Sequence, residues 1–142
     1  MSKIDNPNRN PLRVMLPDRR ANNTFELGHT WKKGREGEIT EVMTITVGMR
    51  PDQQTIGEVF ARCSNKDNER ATVLWHDIGI LVSIALQHGA TVQELSSAMH
   101  SEEVPIMGSI ESVWGSPAGT LLAAMAEIEA EAMTADSAQA LD

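Results

Sequence analysis

The spacing of hydrophobic and polar positions changes once along this 142-residue chain, from a period of two to a helical period. Alternation appears at Thr24-Phe25-Glu26-Leu27 and again from Ile39 to Val47, where Ile39, Met43, Ile45 and Val47 share one face. Period two in a stretch rich in Thr and β-branched residues predicts strands. Arg50-Pro51-Asp52-Gln53-Gln54 predicts a turn, after which Ile56 to Cys63 returns as the antiparallel hairpin partner. Trp31-Lys32-Lys33-Gly34-Arg35-Glu36-Gly37 reads as an exposed loop between the first two strands.

From Glu69 to His88 the apolar residues Val73, Leu74, Ile78, Leu81, Val82, Ala85 and Leu86 recur at helical spacing, with Asp67 or Asn68 placed to cap the start. This predicts a central buried helix. Gly89 supplies a left-handed stop, and Thr91 with Glu94 forms a capping box for a second helix over Val92–Met99. Glu102 to Gly115 reads as irregular. Ser116-Pro117 restarts a helix, with Ser as N-cap and Pro at the first helical position. Ala118, Leu121, Leu122, Met125 and Ile128 form its apolar stripe, and Glu127, Glu129 and Glu131 keep the other side wet. Strands first and helices afterwards predict an α+β fold: a small antiparallel sheet of about three strands, followed by two to three helices packed on one face. Residues 1–15, polar and Pro-punctuated, read as a mobile basic arm, 16–133 as a single domain, and 134–142 as a disordered acidic tail.

Length and composition agree with one hydrophobic core. The eight Met residues are assigned to core packing rather than to a partner surface. No run approaches the roughly 20 apolar residues of a membrane span. The start Met1 to Asn6 lacks a signal peptide's apolar stretch, so a cytosolic protein is expected. The lone cysteine, Cys63, reads as a strand residue. Charge sharpens the picture: of the formal −8, the segment through Arg35 carries +5 and the remainder −13, so the basic segment and the acidic body should attract each other. From Ala71 onward there is no Lys or Arg, which argues against nucleic-acid binding, because that affinity comes mainly from cationic side chains displacing counterions. The helix-turn-helix spacing across Ser83 to Met99 reads as a packed hairpin for the same reason.

Catalytic patterns are absent. His29, His76, His88 and His100 lie outside metal-pair spacing, no glycine-rich phosphate loop occurs, and no nucleophile elbow is present. No metal and no cofactor is expected. Two features stand out. Asp77 lies within the most apolar helix, where an ionised carboxylate must be paired or solvated, and Leu16-Pro17-Asp18-Arg19-Arg20 sets two guanidinium groups beside a stiffening Pro. Either Arg19 or Arg20 pairs with Asp77, or both bind a phosphate or carboxylate of a ligand or partner. Gln87 and His88 end the same helix, where capping and ligand binding are the alternatives.

The run Leu16 to Arg20, the Pro51-Asp52 turn before Gly57-Glu58-Val59-Phe60, and Asp77 followed by Leu81-Val82-Ser83-Ile84-Ala85-Leu86-Gln87-His88-Gly89 together resemble the TSCPD domain. That domain occurs at the C-terminus of vitamin B12-dependent ribonucleotide reductases and as short stand-alone bacterial and phage proteins. In the reductases the radical chemistry belongs to the large catalytic barrel, so the resemblance implies an accessory role without catalysis. The reductase-attached form is cysteine-rich and described as zinc-binding, whereas only Cys63 stands here. The expectation is a non-catalytic module, forming a homodimer and acting on a protein partner or nucleotide-like ligand through Arg19, Arg20, Asp77, Gln87 and His88. The alternatives are a phage-type sponge for a nucleotide immune signal, an accessory factor of ribonucleotide reductase, and a nucleic-acid-binding regulator. A homodimer is expected because a sheet with one helical layer leaves an edge or an apolar face for another copy to cover.

Overall fold

The structure is a computed structural model and describes residues 13, 14, 16, 22–63 and 69–140, with side chains as far as 135. Strands β1 (Asn22–Trp31), β2 (Ile39–Met49) and β3 (Ile56–Cys63) form an antiparallel sheet in the order β1-β2-β3. Helices α1 (Glu69–Gln87) and α2 (Val92–Ala98), a hairpin of β4 (Ser101–Ile106) and β5 (Ser109–Trp114), and α3 (Pro117–Ala140) follow. The α+β expectation holds. No helix among the described residues is long and apolar enough to cross a membrane.

Register explains the core. The pairs Phe25↔Ile45, Leu27↔Met43, Ile45↔Ala61, Val47↔Val59 and Met43↔Cys63 set the odd positions on one face, where Met43, Ile45, Val47 and Val59 are wholly buried. Leu121, Leu122 and Met125 of α3 join the same core, so the expected stripe is present. The even positions Thr24, Glu26, Thr44, Thr46, Phe60 and Arg62 make the opposite face. Thr24 and Thr46 bond across strands through their hydroxyls at 3.1 Å, as do Thr30 and Thr40 at 2.8 Å.

α1 departs from expectation. Of the residues assigned to its buried face, Val73, Leu74 and Leu81 are exposed, Leu81 by 67%. The buried residues are Ala71, Trp75, Gly79, Val82, Ser83, Leu86 and Gln87. Five of these recur every four residues and form the seam against β3, one of the two edge strands of the sheet. A Cβ on Gly79 would stand 3.2 Å from both the Ala61 nitrogen and the Val59 carbonyl, so the absence of a side chain sets how closely helix meets strand. Ser83 Oγ accepts the Val59 N–H at 2.8 Å and donates to the Val59 carbonyl at 2.9 Å, and Gln87 Nε2 donates to the Gly57 carbonyl at 3.1 Å. α1 thus substitutes for a fourth strand and protects the edge.

Four further readings differ or fall outside the described residues. Glu102 to Gly115, read as irregular, is the β4–β5 hairpin; its two-residue turn, Met107-Gly108, lacks the Asn or Asp that signals such a turn in sequence. α3 continues to Ala140, beyond Thr134 where a tail was expected, in a stretch rich in Ala and free of Gly and Pro. Arg13 and Val14, counted with the arm, are bonded to the end of α1. The proposed caps Asp67 and Asn68 lie outside the described residues.

Candidate functional site

Arg19 and Arg20 lie outside the described residues. The other predicted site residues fall at two separate places on α1. Asp77 is exposed, its carboxylate 3.1 Å from His76 Nδ1, so solvent and a neighbouring imidazole meet the requirement of its charge. Ten residues further on, about 15 Å along the helix, Gln87 is buried. Its Oε1 accepts from Arg13 Nε at 2.7 Å while its Nε2 holds Gly57, tying the N-terminal segment, α1 and β3 together. The last carbonyls of α1 are also engaged, Leu86 by Arg50 Nη2 at 2.6 Å and Gln87 by the Val14 N–H at 2.8 Å. Gly89, at φ +104°, closes the helix, with Ala90 N–H returning to Ala85, and leaves His88 exposed.

Beside this end, Asp52 and Glu129 show how the turn is held. Burial pushes the Asp52 carboxyl up, but the Gln54 N–H, the hydroxyl and N–H of Thr55, and Arg50 together hold it below its usual range. Burial raises Glu129, against the opposing pull of the Ile56 N–H it accepts at 2.8 Å and of Arg50.

The groove that combines chemically distinct groups lies at the other half of α1. Thr44 and Thr46 of β2, Phe60 and Arg62 of β3, and Thr72, Val73 and His76 of α1 enclose about 530 Å³. The sheet contributes its outer face and the helix its exposed flank, so the groove follows directly from the docking of α1 on the β3 edge. Among the described residues, Arg62 carries no ion pair or side-chain hydrogen bond and no carboxylate lines the groove. A second cleft on the far side of Val73, bounded by Trp31, Glu41, Glu69, Arg70 and Asp77, is acidic on balance. Sequence reasoning missed Phe60, Arg62, Thr44 and Thr46, although their even parity against the core positions 43, 45, 59 and 61 placed them together on the outer face.

The family model of the TSCPD domain matches residues 19–129 of the chain. This chain belongs to the TSCPD-domain family. The match spans every element from β1 into α3 and includes all groove residues. No curated protein and no solved structure matches the chain significantly. Among the described residues of this TSCPD domain, no group of three or more His, Cys, Asp or Glu side chains is placed to hold a metal ion.

At the end of the sheet, the TSCPD domain encloses His29 in aromatic walls. His29 is 2% exposed; Nδ1 lies 2.7 Å from Thr120 Oγ1, and Nε2 has no hydrogen-bond partner among the described residues. Trp31 meets the ring edge-on at 4.7 Å and Trp75 at 6.4 Å. Glu41, the cross-strand partner of His29, accepts from Trp31 Nε1 at 2.8 Å and from Trp75 Nε1 at 3.4 Å. Burial lowers the His29 pKa below 6.5, outweighing the opposite pull of Glu41. A lowered folded-state value means that the unfolded chain takes up the proton first. His29 therefore withdraws stability as pH falls below about 6.5. Urea midpoints measured between pH 7.5 and 5 are expected to fall more steeply in the native protein than in His29→Gln, and parallel curves would refute the assignment. Glu129 acts with the opposite sign, since its raised value favours the folded state at acid pH, so the comparison with His29→Gln isolates the histidine.

Proposed function

We propose that this TSCPD domain is a non-catalytic binding module that holds a nucleotide-like molecule in the groove between the outer sheet face and α1. The observation that carries this reading is Arg62, a guanidinium without an ion pair among the described residues on a chain of net charge −8, standing two residues from the exposed ring of Phe60 on the same face of β3. A planar base stacks on Phe60, a phosphate or carboxylate is met by Arg62, and the threonines offer hydroxyls that donate or accept. The groove volume of about 530 Å³ falls within the about 300–1,000 Å³ usual for small-ligand sites. The acidic cleft across Val73 repels an anion and so favours this side of α1.

The same groove argues against catalysis. His76 and Asp77 form an imidazole–carboxylate pair, but both are about two-thirds exposed, and His76 makes no hydrogen bond to a groove hydroxyl. A nucleophile–base–orienting chain is therefore incomplete.

Nitrogen-15 NMR titration with a panel of adenine and guanine nucleotides tests the proposal. Resonances of Thr44, Phe60, Arg62 and His76 are expected to shift together. Arg62→Ala should weaken binding by about 10- to 100-fold, in line with the loss of a charge-assisted contact. Phe60→Ala should weaken it by a similar factor through lost stacking. No shift with any nucleotide, or affinity unaffected by both substitutions, overturns the proposal.

A further inference from the structure

The β4–β5 hairpin carries an apolar knob on a fixed base. Its inner face is held to the β1–β2 loop: Arg35 bonds Glu102 at 3.1 Å, Lys33 pairs with Glu111 at 3.6 Å, and Ile106 packs over Gly34. Its outer face and tip present Pro105, Met107 and Ile110, with Met107 fully exposed and Ile110 exposed by 72%. Met107 also occupies the left-handed region at φ 49°, followed by Gly108 at φ 83°. Asn at this position would relieve both the backbone cost and the exposed apolar surface. A methionine that is costly on both counts is explained by a contact made outside its own fold, and its flexible thioether suits an irregular apolar receptor.

Such a receptor exists on the same chain. Ile78, Leu81 and Val82 of α1, Leu95 and the C-cap Met99 of α2, and Leu122 of α3 line an open groove of about 240 Å³ in which no described wall residue is charged. That volume is below the usual about 300 Å³ minimum for a small-ligand pocket, and it suits inserted side chains instead. The uncharged lining matters in a chain of −8, because contact there sets no carboxylate against another. Strands of six residues give the hairpin a reach of about 20 Å. Every copy has one knob and one groove, so two copies can exchange them reciprocally about a two-fold axis and close the assembly.

We infer that the protein forms a homodimer in which the Met107–Ile110 knob of each copy inserts into the α1–α2–α3 groove of the other. This is independent of ligand binding at Phe60 and Arg62. Sedimentation velocity on the full chain should show a dimer. Met107→Asn is the decisive variant: it is expected to raise the melting temperature of the monomer by improving the turn, yet weaken dimerisation on the order of 100-fold, since two buried methionines are lost per dimer. Leu81→Asp, at an exposed position, should give monomers with unchanged circular dichroism. A combined Leu81→Cys and Ile110→Cys variant should form interchain disulfides on oxidation. A native chain that stays monomeric at high concentration, or a dimer that persists in both Met107→Asn and Leu81→Asp, overturns the inference.

Discussion

Replacing Trp75 by Ala is expected to cost about 3–5 kcal/mol of stability, the range for truncating a large buried aromatic side chain. In a domain of this size that lowers the melting temperature on the order of 10 °C. Trp75 is wholly buried where α1 meets the sheet, and it forms one wall around His29. Its indole N–H also reaches Glu41 Oε1, the carboxylate oxygen that accepts from Trp31 as well. The substitution therefore opens a cavity and removes a donor from a partly buried charge. Trp75→Phe also removes the N–H but keeps an aromatic ring that fills most of the space, and should lose less. Thermal and urea denaturation followed by circular dichroism would decide it, and a loss below about 1 kcal/mol, the ordinary cost of an average substitution, would contradict the packing described.

The second large effect belongs to a smaller residue. Ser83→Ala removes one oxygen, and with it both bonds to the Val59 backbone, leaving a buried N–H and C=O of the edge strand unpaired. At about 1–3 kcal/mol for each stranded group the expected loss is about 2–5 kcal/mol. The specific readout is the Val59 amide, whose hydrogen-exchange protection should collapse ahead of those in the middle of β2. Retained protection at Val59 would mean that α1 does not seal the edge in this way.

Ser83 also explains what was hard to read. The apolar period along α1 selected Val73, Leu74 and Leu81 as buried, and these are exposed. The seam at 71, 75, 79, 83 and 87 contains a glycine, a serine and a glutamine, because it faces backbone at a strand edge. Such a surface needs close approach and hydrogen-bonding groups, whereas hydrophobic periodicity detects contact with other side chains. The β4–β5 hairpin escaped notice for a different reason: Met107 occupies a turn position where Asn or Asp is the usual signal. Of the candidate site residues, Gln87 was visible as the helix end, but its bonds to Arg13 and Gly57 span 74 and 30 residues in sequence. Local patterns contain no information at that separation.

By itself, the amino-acid sequence determined the parity of the three-stranded sheet, the α3 stripe and the caps at Thr91, Gly89 and Ser116, since each depends on side chains within a few residues of one another. Its charge asymmetry is expressed in the pairs of Lys33 with Glu111 and Arg35 with Glu102. The partners in those pairs, the buried flank of α1, and the meeting of Phe60 and Arg62 with Thr72 and His76 were decided only in the tertiary structure. They depend on where a helix comes to rest against a strand edge, which is set by the fit of Gly79 and Ser83 to the backbone of Val59 and Ala61.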